Sequence, residues 1–114
     1  MLFTGSHMFR RKNVLVPRTE MTIGEFDPSV AGAYRNVKTM PLDIKQNRDL
    51  FISLESDVPV DVAVSDWNGK CVAFREKFTS GTISARFDDK GTAGLVLGVF
   101  RGDLAKVVIE AWME

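Results

Sequence analysis

Apolar and polar residues alternate along most of the chain with a period of two, the signature of half-buried β-strands, and turn-forming residues interrupt the alternation. The clearest run sets Val58, Val60, Val62 and Val64 against Asp61, Ala63 and Ser65. After a turn, Val72, Phe74 and Glu76 share one face and Ala73, Arg75 and Lys77 the other. Weaker alternation marks residues 13–16, 19–26, 39–44, 50–55, 82–87 and 92–100. Residues 105–113 place Val107, Ile109, Ala111 and Met113 inward against Lys106, Glu110 and Trp112, and the β-branched run Val107, Val108, Ile109 favours a strand there over a short helix. The pattern predicts an all-β fold, an antiparallel β-sandwich of about eight short strands. A small β-barrel is the alternative, because strand count does not separate stacking from closure. Pro41 cannot donate to a ladder, so its strand is placed at an edge or beside a bulge.

Two turns set the expected pairing. In Asp66-Trp67-Asn68-Gly69-Lys70, a two-residue Asn-Gly loop would place Val64 opposite Ala73 and Val62 opposite Arg75, setting the valine face against charge. A three-residue loop opened by Asp66, with Gly69 left-handed, sets Val64 opposite Val72 and Val62 opposite Phe74, and burial of one face selects that register. Asp88-Asp89-Lys90-Gly91 repeats the chemistry. The same logic pairs Phe87 with Ala93, Ala85 with Leu95 and Ile83 with Leu97. Gly94 and Gly98 fall on the face opposite Leu95 and Leu97, which reads as a twisted, weakly packed outer face.

The chain has 114 residues, 45% of them hydrophobic and 26% charged, which suits one globular domain with its own core. Residues 1–12 read as a tag-derived or disordered N-terminal segment, since Gly5-Ser6-His7-Met8 has the form of a vector scar and Phe9-Arg10-Arg11-Lys12 that of a solvated basic terminus. Residues 13–114 form the single sandwich domain. Fifteen basic residues balance fifteen acidic ones, so no global field points to nucleic acid or an anionic membrane. The single cysteine, Cys71, excludes an internal disulfide. No apolar run approaches the roughly twenty residues of a spanning helix. The chain as given therefore reads as cytoplasmic, with an exported disulfide-free module as the other option.

Candidate chemistry is sparse. His7, the only histidine, lies in the suspected tag, which leaves the domain without the usual neutral-pH base or the commonest metal ligand. Cys71 has no activating partner in sequence and reads as an ordinary strand residue. No phosphate loop, zinc pattern or nucleophile turn occurs, so neither a catalytic centre nor a cofactor is expected. Asp61, Asp66, Asp88, Asp89 and Asp103 lie near turns and could converge on calcium. Without an Asp-x-Asp-x-Asp loop they read as turn-openers instead, and no metal is assigned. Three aromatic residues are the candidate contacts for a partner or ligand: Trp67 at a turn tip, Trp112 on an outer face and Tyr34 in a small-residue lead-in. For Trp67, packing back across the end of the sheets competes with ligand contact.

From about residue 21 to 113, the order of pieces resembles the GOLD-type and bacterial pre-peptidase C-terminal β-sandwich modules. The resemblance rests on the lead-in from Val30 to Tyr34, the strand ending at Ile44, Asp49-Leu50-Phe51-Ile52-Ser53-Leu54, the valine run ending in Asp66, and the closing residues 81–100. The chain departs from these modules where Gly94-Leu95-Val96-Leu97 replaces the usual paired tyrosines and Arg101-Gly102 the usual Asn. The resemblance implies a non-catalytic interaction module that binds a protein partner or associates with itself, and it transfers no site residue. A carbohydrate- or small-ligand-binding sandwich using Trp67 or Trp112 is the alternative reading.

Overall fold

A computed structural model describes residues 12–24, 37–100 and 103–114. Among these residues all regular structure is antiparallel strand: β1 (Asn13–Ile23), β2 (Val37–Ile44), β3 (Arg48–Ser65), β4 (Cys71–Phe87), β5 (Gly91–Gly98) and β6 (Ala105–Met113). The all-β sandwich reading holds, with fewer and longer strands than the alternation suggested. Residues 13–16 and 19–23 join across Pro17 in β1, whose ladder to β6 shifts register between Val14 and Thr19. Residues 50–55 and 58–65 join in β3, and 71–77 and 82–87 in β4. The apparent breaks are irregularities inside continuous strands. In β3 the ladder shifts between Glu55 and Val60. In β4, Lys77 takes φ 50° and Gly81 φ 143°.

β3 organises the molecule. Its first half pairs with β6 on one side, Leu50↔Met113 to Ser56↔Val107, and with the second half of β4 on the other, Arg48↔Phe87 to Glu55↔Ser80. Its second half pairs with β5, Asp61↔Gly98 to Ser65↔Gly94, and with the first half of β4. The sheet order is β1-β6-β3-β5-β2, with β4 lying beside β3. One sheet thus curls into two facing leaves that share the long β3–β4 hairpin. Its period-two residues Leu50, Ile52, Leu54, Val60, Val62 and Val64 all point into the core, where they meet Leu42, Leu95, Leu97, Val107, Ile109 and Met113. β2 ends the order, the first of the two placements Pro41 allowed, and Pro41 pairs with Gly94. A Cβ built on Gly94 meets nothing within 4 Å, so that outer face is open.

Two expected registers are corrected. The turn itself forms as expected: the Asp66 carbonyl accepts the Gly69 N–H at 3.1 Å, and Gly69 sits at φ 81°. Beyond it, Ser65 pairs with Cys71 but Val64 pairs with Ala73 and Val62 with Arg75, so Val72 is an extra, bulged residue. The reason is that β5, not β4, is the apolar neighbour of the valines: Val64 lies opposite Leu95 and Val62 opposite Leu97. With their apolar cross-strand neighbours on β5, the valines leave β4 free to be an edge whose Arg75 reaches solvent.

The second correction concerns residues 88–91. The expected hairpin between residues 83–87 and 93–97 is absent: Ile83, Ala85 and Phe87 pair with Ile52, Leu50 and Arg48, while β5 lies between β2 and β3. Residues 88–90 instead cross from one leaf to the other. Both arrangements match apolar with apolar, so alternation alone does not choose the partner.

Candidate functional site

The curl of β3 brings both of its ends to one end of the sandwich, where three connections meet: residues 45–47, 66–70 and 88–90. The middle one is held rigidly. Asp66 Oδ1 accepts the N–H groups of Asn68 and Lys70, each at 2.9 Å, and the Asp66 N–H donates to the Lys70 carbonyl at 2.8 Å. Side-chain acceptance of this kind is what makes Asp a turn-opener. It fixes the direction of Trp67, the next residue.

Trp67 folds back onto the crossover. A Cβ at Gly91 would lie 2.5 Å from indole Cδ2 and Cε3, so the ring rests on the bare glycine backbone. Phe87, itself buried, flanks it with ring centroids 6.0 Å apart at 30°. Even so, Trp67 stays 41% exposed. The expected packing across the end of the sheets is present, and Trp67 keeps part of its surface exposed.

Gly91 also lines a shallow depression of about 400 Å³ with Asp43, Lys45, Gln46, Lys90 and Thr92. Lys45 pairs with Asp43 at 3.2 Å, and its N–H donates to Met113 Sδ at 3.1 Å, tying this connection to β6. Among the described residues no ion pair engages Lys90. A half-exposed aromatic on a rigid turn, beside a depression with one uncommitted cation, is suited to recognition.

The other candidate residues do not join Trp67. Trp112 lies on the outer face of β6, stacked on Phe51 at 5.7 Å and 20°. Lys12 Nζ stands 4.3 Å from the Trp112 ring centroid and pairs with Glu110 at 3.0 Å, while the indole N–H donates to Glu114 at 2.8 Å. Its ring and N–H are thus engaged within the chain. Tyr34 lies outside the described residues. The turn carboxylates disperse: Asp66 serves its own turn, Asp61 accepts the Lys77 N–H at 3.1 Å, and Asp88 faces Arg86 at 3.7 Å. Among the described residues no three Asp, Glu, His or Cys side chains converge on a point that could hold a metal. Cys71 is exposed, its thiol 3.4 Å from the Ala73 carbonyl. Sequence reasoning missed the partnership of Trp67 with Gly91, which only the crossover creates. The available signal was Gly91, expected as the left-handed residue of a second turn; it takes no positive φ, and its bare backbone seats the Trp67 ring instead.

The sequence matches no protein-family model and no curated protein. Similar structures exist. PliG of Aeromonas hydrophila, a periplasmic inhibitor of g-type lysozyme, superposes with a TM-score of 0.64 over 89% of this chain and 88% of that one, at 7% identity. A CBM36-1 domain of a multidomain xylanase, from the hindgut metagenome of Trinervitermes trinervoides, superposes more loosely, with a TM-score of 0.43 over 91% and 97% of the two chains at 10% identity. The likeness to PliG shows a shared β-sandwich fold.

Proposed function

We propose that this protein is a non-catalytic binding module that recognises a protein partner through the end of the sandwich built around Trp67. The observation that carries the proposal is the mounting of Trp67: a large side chain fixed by Phe87 and the bare backbone of Gly91, yet 41% exposed, on a glycine that also lines an open depression. Tryptophan is enriched among the few residues that dominate protein interfaces, and a ring fixed before binding loses little entropy on contact. Lys90, beside it, favours a carboxylate or a carbonyl on the partner. The likeness to PliG supports the reading at the level of fold, since that sandwich serves a protein that inhibits, and so engages, another protein. The resemblance of residues 21–113 to GOLD-type and pre-peptidase C-terminal modules proposes the same use. Export is part of the proposal, the PliG relative being periplasmic. Among the described residues no helix is long and apolar enough to cross a membrane.

The test compares wild type with Trp67→Ala and Lys90→Glu in affinity capture from the source cell, and against a panel of purified lysozymes including g-type enzymes. A partner bound by wild type and lost by both variants supports the reading. A partner bound equally by all three places recognition elsewhere. The second reading, a sugar stacked on Trp67, is favoured by the exposed surface of that residue alone. Titration of oligosaccharides followed by tryptophan fluorescence, with Trp112→Phe as background, decides it.

A further inference from the structure

Among the described residues the sheet has three free edges, and they are not equally protected. An exposed row of unpaired N–H and C=O groups is a template for another strand, and proteins blunt it with charge, proline or bulges. β1 carries Pro17, Arg18 and Glu20 together with two register shifts. β2 carries Lys38, Pro41 and Asp43. The first half of β4 carries Arg75, Glu76 and Lys77 and is further masked: Arg75 Nη1 donates to the Phe74 carbonyl at 2.8 Å, and the Lys77 N–H is taken by Asp61.

Residues 80–85 of β4 carry neither charge nor proline, and the register shift at Thr79 ends before them. The run is Ser80-Gly81-Thr82-Ile83-Ser84-Ala85. From Ser80 to Phe87 its ladder to β3 is continuous, without a register shift. Among the described residues only β3 pairs with β4, and Thr79, Ser80, Gly81, Thr82 and Ser84 are all exposed. Among the described residues, an edge free of charge and proline stands where the other edges carry both charge and proline or a masked N–H, and Gly81 at φ 143° is its one irregular position.

We infer that residues 80–85 are a self-association edge, pairing antiparallel with the same segment of a second copy across a two-fold axis and extending the β1-β6-β3-β4 leaf into a continuous sheet through both molecules. A two-fold contact must be complementary to itself, and this segment is. With the axis at Thr82, Thr82 meets Thr82 and Ser80 meets Ser84 on the outer face, while Gly81 meets Ile83 on the inner. With the axis at Ile83, Thr82 meets Ser84 and Gly81 meets Ala85. Neither register brings like charges together. Hydroxyl pairs of this kind are favourable across strands. Farther along the same strand the outcome is opposite: an axis at Arg75 sets Arg75 on Arg75, and an axis at Glu76 sets Arg75 against Lys77. The charge pattern of β4 therefore directs pairing to its second half. This edge is separate from Trp67, so the inference stands or falls independently of the proposed binding site.

The experiment is sedimentation velocity on the full chain across a concentration series, with Thr82→Lys/Ser84→Lys and Thr82→Glu/Ser84→Glu double variants. Both positions face solvent, and unchanged far-UV dichroism and melting confirm that each variant folds. Wild type is expected to show a concentration-dependent dimer. Each double variant alone should weaken it about tenfold or more, because like charges then face one another in either register. An equimolar mixture of the two should restore it, Lys facing Glu. Amides of residues 80–85 should exchange more slowly at high concentration. A wild type that stays monomeric to millimolar concentration overturns the inference, as does a dimer that both variants retain.

Discussion

At the scale of single residues, the end of the sandwich depends on a glycine. Gly91→Ala places a methyl group inside the contact with the Trp67 ring, 2.5 Å from two of its carbons, and neither the indole nor the backbone beneath it can yield without disturbing Phe87. The expected outcome is a loss of about 1–3 kcal/mol in chemical denaturation, with a red-shifted Trp67 emission measured in a Trp112→Phe background. The opening turn makes a second prediction. Asp66→Ala removes the acceptor of two backbone N–H groups, at a cost of about 1–2 kcal/mol, whereas Asp66→Asn retains an acceptor oxygen and should cost less; thermal melts of the pair check it. A result in which alanine and asparagine behave alike would show that the Asp66 side chain does not hold the turn.

Elements show how far alternation can be read. The inward faces of β3 and β6 were legible because each strand is covered on one side by the core, so that Leu50, Ile52, Leu54, Val107, Ile109 and Met113 follow a strict period of two. The turn at Asp66 was legible from local chemistry. What alternation does not encode is the neighbour. Leu95 can face Ala85 or Val64 with equal apolar agreement, and only the curl of the whole sheet selects Val64. The bulge at Val72 was hidden for the same reason: the apolar match chooses a register between two strands only when the valines have no other apolar neighbour, and β5 supplies one here. Trp67 was legible as a candidate, while its seat on Gly91 depends on the crossover and was not. A prediction belongs at this scale. Because Val72 is the extra residue, deleting it leaves Ser65↔Cys71 and Val64↔Ala73 in place as consecutive pairs. The deletion variant should fold with an unchanged far-UV spectrum and lose only about 1–2 kcal/mol, from the half-buried Val72 side chain. Failure to fold would mean that the bulge sets the register of the β3–β4 hairpin.

For the whole molecule, the question is whether two leaves make one cooperative unit. They share β3 and β4 as covalent members of both, so neither leaf can open without unpairing strands that the other uses. Leu54 belongs to the first leaf and Leu95 to the second, and both are fully buried. Truncating either to alanine leaves a cavity costing about 2–5 kcal/mol. If the leaves unfold together, each variant shifts a single transition, and the dichroism of the strands and the emission of Trp67 change at the same denaturant concentration, as expected of a domain this small. If the irregularity between Glu55 and Val60 acts as a hinge between independent units, Leu54→Ala would move the dichroism transition while leaving much of the Trp67 signal behind. The pairing argues for the first outcome. Residues 50–55 are bonded to β6 and β4 and residues 62–65 to β5 and β4, so both halves of β3 are interior strands. Their amides should be the slowest in the chain to exchange, at matching rates on either side of residues 56–60, and a difference of more than about tenfold between the halves, roughly 1.4 kcal/mol in opening free energy, would show that the leaves open separately.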